Sequence, residues 1–153
     1  MSTWSPAVAK LVRTAVGGAR ENMATFGHVV PAALVLVGED LHLLGLAFSD
    51  AAGKAESLAF VAGYAREHGA QAVVFLGPAW AVEEGCEGDV LDSPDAREAV
   101  VLSLSVPGLV FTGVAYVTRT SPGAATIGPV RWTYLAGGDV DASLLPPLAG
   151  DLN

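Results

Sequence analysis

Seven carboxylates crowd into residues 83–98: Glu83, Glu84, Glu87, Asp89, Asp92, Asp95 and Glu98, with Arg97 as the sole cation among them. Two carboxylates that faced each other there could act as acid and base on a bound substrate. The same oxygens could hold calcium or magnesium, but their spacing does not match the EF-hand loop. A solvated acidic loop is the simpler expectation. Asp92-Ser93-Pro94-Asp95-Ala96-Arg97-Glu98 is the most distinctive stretch. Ser-Pro-Asp opens a turn. Arg97, between Asp95 and Glu98, is placed to pair with a carboxylate and pin the loop beside the strand it feeds. Trp80 lies just before this segment and would give it an aromatic wall. The candidate binding residues are therefore Trp80, Asp92, Asp95, Arg97 and Glu98, and no catalytic residue is assigned.

Other reactive side chains offer less. Cys86 sits among glutamates, which raise a thiol pKa and so oppose thiolate chemistry. As the single cysteine it can form neither an intrachain disulfide nor a cysteine zinc cluster. No His-Glu-x-x-His or paired histidine motif occurs, so no metal site is expected. His28, His42 and His68 are scattered, and each reads as structural or solvated. His42, between Leu41 and Leu43, is expected to point outward by strand alternation. Gly53-Lys54 follows a strand and enters a helix, but Phe48 and Ala55 stand where a phosphate loop needs glycine and a hydroxyl. No Gly-x-Ser-x-Gly elbow is present. No cofactor is expected.

The net charge is −8, and the 83–98 segment carries −6 of it. The flanking parts are nearly neutral, so no basic nucleic-acid footprint exists and direct nucleic-acid binding is not expected. The longest apolar run, Val29 to Val37, contains Pro31 and falls short of the roughly 20 residues of a spanning helix. The N-terminus lacks a signal-peptide pattern. No membrane association is expected, and the cytoplasm is the expected compartment. With 52% hydrophobic and 16% charged residues, apolar surface should remain after folding, which favours a homo-oligomer or contact with another protein.

These side chains must be carried by elements legible in local signals. Ser5 as cap, Pro6 at the first turn and apolar residues from Val8 to Met23 at helical spacing predict a first helix ending near residues 22–27. Gly17 and Gly18 would allow a backbone to approach it. Pro31–Val37 and Leu41–Phe48 about Gly38-Glu39-Asp40 predict a hairpin. A second helix runs from Ala51 to His68 with Gly69 closing it. Its buried face is expected to hold Ala51, Ala55, Leu58, Ala59, Ala62 and Ala65, leaving Phe60 and Tyr64 as candidate interface residues. Gln71–Leu76 follows as a strand with one parallel pairing. Ala99–Val106 and Leu109–Thr118 form a second hairpin about Pro107-Gly108. A loop covers 120–129 and Val130–Leu135 is the last strand. The expected fold is α+β, in the order α-β-β-α-β-β-β-β. A mixed, largely antiparallel sheet of about six strands carries two helices on one face. Residues 1–153 form a single domain with a loosely held tail from about 137.

Ala79-Trp80, the acidic loop, and Ser93-Pro94-Asp95-Ala96-Arg97-Glu98-Ala99 leading into an apolar strand together resemble a group of small uncharacterised phage and prokaryotic proteins. The likeness spans roughly residues 8 to 118 and includes the preceding helix, the proline-led hairpin and the lysine-bearing second helix. Pro78 stands where the resemblance leads one to expect an acidic residue. The group has no assigned activity; the resemblance implies organisation and a phage or mobile-element setting, and no chemistry. The reading that follows is a non-enzymatic binding or interaction protein. The alternative is a small enzyme with a carboxylate-lined site near Trp80 and residues 92–98.

Overall fold

The computed structural model describes residues 4–48, 50–81, 97–121 and 124–135. Among these, α1 (Pro6–Phe26), β1 (Ala32–Val37), β2 (Asp40–Gly45), α2 (Ala51–Glu67), β3 (Ala72–Ala81), β4 (Arg97–Val106), β5 (Leu109–Ser121), β6 (Ala124–Ile127) and β7 (Arg131–Leu135) follow in chain order. The fold is α+β, with two helices and a seven-stranded sheet in the order β2-β1-β3-β4-β5-β6, with β7 also on β5. No helix among the described residues is long and apolar enough to cross a membrane.

The helix ends obey local chemistry. Ser5 Oγ accepts the Val8 N–H at 3.2 Å, Pro6 takes the first turn, and Gly27 closes α1 in the left-handed region at φ 77°. Asp50 Oδ1 accepts the Gly53 N–H at 2.7 Å to start α2, and Gly69 leaves it at φ 65°. Val8, Leu11, Val12, Ala15, Ala19 and Met23 form the buried stripe of α1, as the spacing predicts.

Three expectations need correction. The helices lie on opposite faces of the sheet. The α1 stripe packs with Leu34, Leu36, Val74, Leu76, Val100 and Leu102, whereas Val61 and Ala65 of α2 pack with Ala33, Val35, Val73 and Phe75. Neighbouring residues along β1 and β3 point to opposite faces, so each strand needs cover on both. Among the described residues the sheet is also not mixed. β3 pairs antiparallel with β1 rather than parallel with β2, and every recorded pairing is antiparallel. β1, buried at four consecutive positions, takes the interior place and leaves β2 at the edge. Finally, β6 lies inside the expected 120–129 loop. It pairs with β5 from Val117 to Ser121, while β7 pairs with Val110 to Val114, so both share one side of β5.

The buried face of α2 differs from the alanine stripe. Val61 and Ala65 are buried, Leu58 and Tyr64 pack beside them, and Ala51, Ala55 and Ala59 are exposed. Burying valine and leucine removes more apolar area from water than burying alanine, so the larger side chains set the rotation. At Gly17 and Gly18 no backbone approaches; a Cβ there would meet nothing within 4 Å. Gly113 is the crowded one. Its pairing partner Trp132 lies over it, and a Cβ would stand 2.7 Å from Val130 Cγ1 and 3.0 Å from the indole. Trp4 meets Trp132 and Phe111 edge-on, with ring centroids 5.1 and 5.6 Å away.

Two substitutions on α2 check its rotation by urea unfolding. Val61→Gln should cost about 2–4 kcal/mol by burying an amide and removing packing. Ala59→Gln should stay within about 0.5 kcal/mol of wild type. Equal costs would place the buried face elsewhere.

Candidate functional site

The end of the β3–β4 ladder gathers three of the five candidate residues. Trp80 is opposite Glu98 and Ala81 opposite Arg97 in the register. Asp92 and Asp95 lie outside the described residues, as do Cys86 and the 137–153 tail. β3 runs straight through Gly77-Pro78-Ala79-Trp80. Pro78 costs no ladder bond there, because the β1 pairing ends at Leu76 and the missing N–H points past that end.

Arg97 and Glu98 are neighbours on one strand, so they face opposite sides of the sheet. Of the two carboxylates that flank Arg97 in sequence, Asp95 lies outside the described residues and Glu98 faces away from it. Glu98 is instead held by Arg119 of β5, with Nε donating to Oε1 at 2.8 Å and Nη2 to Oε2 at 2.6 Å. The same Nη2 donates to the Gly27 carbonyl at 2.8 Å. α1 has no basic residue in its last turn, and Arg119 supplies the cation that the negative end of the helix favours. On the other face the Arg97 guanidinium lies 4.3 Å from the Tyr116 ring centroid, within cation–π range.

Electrostatics follow from this fork. The hydrogen bonds from Arg119 hold the Glu98 carboxyl below the usual glutamate range, against a smaller opposing effect of burial. Arg119 is pushed up by the same contact. Both side chains remain partly open to solvent, 43% for Arg119 and 31% for Glu98, so salt screens the pair. A carboxylate held charged in this way is a clamp joining α1, β4 and β5. It does not take up and release protons near neutral pH.

A second constellation went unread in the sequence. His42 of β2 points toward α2 rather than outward, and its Nδ1 lies 2.6 Å from the Tyr64 phenol oxygen. His68, capping α2, stacks on Tyr64 with centroids 4.0 Å apart and rings 21° from parallel. The His68 Nδ1–H donates to the Tyr64 carbonyl at 2.9 Å, since a carbonyl can only accept. His42 and His68 rings meet edge-on at 5.9 Å, and Phe60 leans on Tyr64 at 6.3 Å. Tyr64 and His68 are four apart on one helix face, a signal present in the sequence. His42 is 22 residues away from Tyr64, and strand order alone brings it there.

A tyrosine hydrogen-bonded to a histidine could relay a proton. Among the described residues no carboxylate joins this cluster, and no group of three or more His, Cys, Asp or Glu could hold a metal. Two mainly apolar cavities of the described region lie elsewhere, as does a more polar one lined by Lys10, Glu39 and Leu41. One of about 330 Å³ opens between the start of α1 and the β4–β5 turn, lined by Trp4, Val8, Leu36, Gln71, Pro107 and Phe111. Another of about 240 Å³ runs between α1 and the β2 edge, lined by Gly18, Val30, Leu34, Leu43, Gly45 and Leu76. Both walls are mainly apolar, which suits contact with apolar surface more than polar catalysis. No family model, curated protein or solved structure matches this chain.

Two outcomes test these contacts. Glu98 keeps its charge to lower pH when folded than when unfolded, so the unfolded chain binds the proton first and the stabilisation is lost as pH falls through the lowered folded value. Wild type should therefore exceed Glu98→Gln in urea midpoint at pH 7, with the gap closing below about pH 4 and narrowing in high salt. A gap that persists at pH 2.5 would assign it to packing. Tyr64→Phe should cost about 0.5–1.5 kcal/mol, the worth of the bond to His42, and in a His42→Phe background its cost should fall, as a double-mutant cycle would read.

Proposed function

We propose that this protein is a non-enzymatic binding protein whose contact surface runs along β2 and the outer side of α2. One observation carries the reading: exposed apolar side chains flank the open edge of the sheet. Leu43 is 69% exposed, Phe60 57% and Val30 43%. Leu43 and Val30 line the groove between β2 and α1. Phe60 stands on the opposite face, braced by Tyr64, whose phenol is tied to His42 of β2. Isolated exposed leucines are ordinary, but a group around a strand whose outer edge is unpaired among the described residues is the pattern of an interaction site.

The candidate interface pair thus divides in role. Phe60 presents its ring to solvent, and Tyr64 is half-buried and fixes it. The groove and the edge are apolar and uncharged apart from Asp40, which favours a protein partner over nucleic acid. The phage or mobile-element setting implied by the Trp80 and 93–99 resemblance is compatible with an adaptor or assembly role.

A photoreactive phenylalanine analogue placed at Phe60, or at Leu43, in the full chain tests this in intact cells. Irradiation should give a discrete protein adduct from both positions and none from Ala59→photoprobe, which is exposed on the same helix. Absence of an adduct at both Phe60 and Leu43 would overturn the reading.

A further inference from the structure

We infer that the partner at this edge is a second copy of the chain. Its β2 pairs antiparallel with β2 about a two-fold axis through Leu43, continuing the sheet from one copy into the other. The inference rests on the contact-surface reading and adds the identity of the partner and its register.

The backbone decides which residues are available. The Leu46 N–H donates to the Pro31 carbonyl at 3.0 Å, one step beyond the Ala32 and Gly45 pair. In an antiparallel ladder directly bonded pairs alternate with unbonded ones. His42 and Leu44 therefore direct their N–H and C=O groups to β1. Leu41, Leu43 and Gly45 direct theirs away from it, where β2 has no neighbouring strand among the described residues. Such a row is a template for another strand. Edges that avoid pairing carry lysine, proline or a bulge; Leu41-His42-Leu43-Leu44-Gly45 has neither residue, and the register with β1 is unbroken.

Side chains and charge select this strand as its own partner. With the axis at Leu43, Leu43 faces Leu43 of the copy and Leu41 of the copy faces Gly45. A Cβ at Gly45 or Gly18 would meet nothing within 4 Å, so the leucine from the copy enters space that the glycines leave in the groove. The formal charge in β2 is Asp40, preceded by Glu39. The axis sets Asp40 beside Leu46 of the copy and about 20 Å from the Asp40 of the copy, six residues at ~3.4 Å each. That exceeds the screening length of about 8 Å at physiological salt. A parallel alignment in register would stack the two aspartates, and an acidic peptide would find no opposite charge in the strand. A contact limited to this six-residue edge with Leu43, Val30 and Phe60 beside it is small, of the class below about 1,200 Å² in total where transient complexes fall, so the dimer should be reversible.

Sedimentation velocity of the full chain across about 1–100 µM tests the inference. Wild type should show a reversible monomer–dimer equilibrium. Leu43→Lys should weaken it at least tenfold. Leu43→Pro should also give monomer while keeping a cooperative urea transition, because the Leu43 N–H takes no part in the β1 ladder. Leu44→Pro, which removes a bond to β1, should lose much of that stability. If Leu43→Pro does not fold, Leu43→Lys decides alone. A wild type that stays monomeric throughout, or a dimer unmoved by Leu43→Lys, overturns self-pairing. A monomeric wild type whose Leu43 photoadduct is a different protein overturns self-pairing and leaves the contact surface standing; absence of any adduct removes both.

Discussion

Leu34, Leu36, Val74 and Leu76 are buried on one side of β1 and β3, and Ala33, Val35, Val73 and Phe75 on the other. A strand apolar on both faces cannot sit against water on either. One helix must therefore cover each face, which sets α1 and α2 apart across the sheet. Both strands must also be interior, which sends β3 to the free side of β1 and pushes β2 outward. β2 can occupy an edge because none of its residues is fully buried. The route from β2 through α2 to β3 then carries the chain over one face, and β4 and β5 extend the sheet on the far side.

Edge placement has a consequence for side chains on both faces of β2. On the α1 side, Leu43 lies over a groove floored by Leu34 and Leu76 and is left 69% exposed. On the α2 side, His42 meets the helix that has rotated to bury Val61 and Ala65. That rotation brings Tyr64 to the strand and turns Phe60 outward. The tyrosine–histidine contacts and the exposed phenylalanine are thus two results of one packing choice. Larger aliphatic side chains outweigh a longer row of alanines, at about 25 cal/mol per Å² buried.

What the sequence made legible is what neighbouring residues decide. Ser5 and Pro6, Gly27, Asp50 and Gly69 bound the helices, and the two tight turns at Gly38 and Gly108 adopt positive φ. The α1 stripe emerged from periodicity. Strand order, helix side and the β6 pairing did not, since each depends on partners distant in the chain. Ala124–Ile127 is a four-residue segment beside a Ser-Pro-Gly stretch, with only Thr126 and Ile127 as strand formers, and pairing with β5 makes it a strand. The same limit applies to the site. Trp80, Arg97 and Glu98 are grouped by the β3–β4 register, but their local sequence does not point to the partner that Glu98 takes. Arg119, 21 residues from Glu98, could be found only through the β4–β5 hairpin.

The Glu98–Arg119 fork also bears on the carboxylate-lined alternative. A general acid at neutral pH needs its proton held above the ordinary carboxylate range, by burial or by a neighbouring negative charge. Glu98 is displaced the opposite way by a guanidinium that donates to both of its oxygens. That guanidinium also engages the Gly27 carbonyl at the end of α1, so moving it to free the carboxylate would strip a helix terminus of its cation. Three elements therefore resist the protonation change that catalysis by Glu98 would require. Arg97, on the reverse face over Tyr116, stands across the sheet from this carboxylate. At this end of the ladder the charged side chains fasten α1 to the β4–β5 hairpin, while at the sheet's opposite margin β2 leaves Leu43 exposed and, among the described residues, has no strand on its outer side.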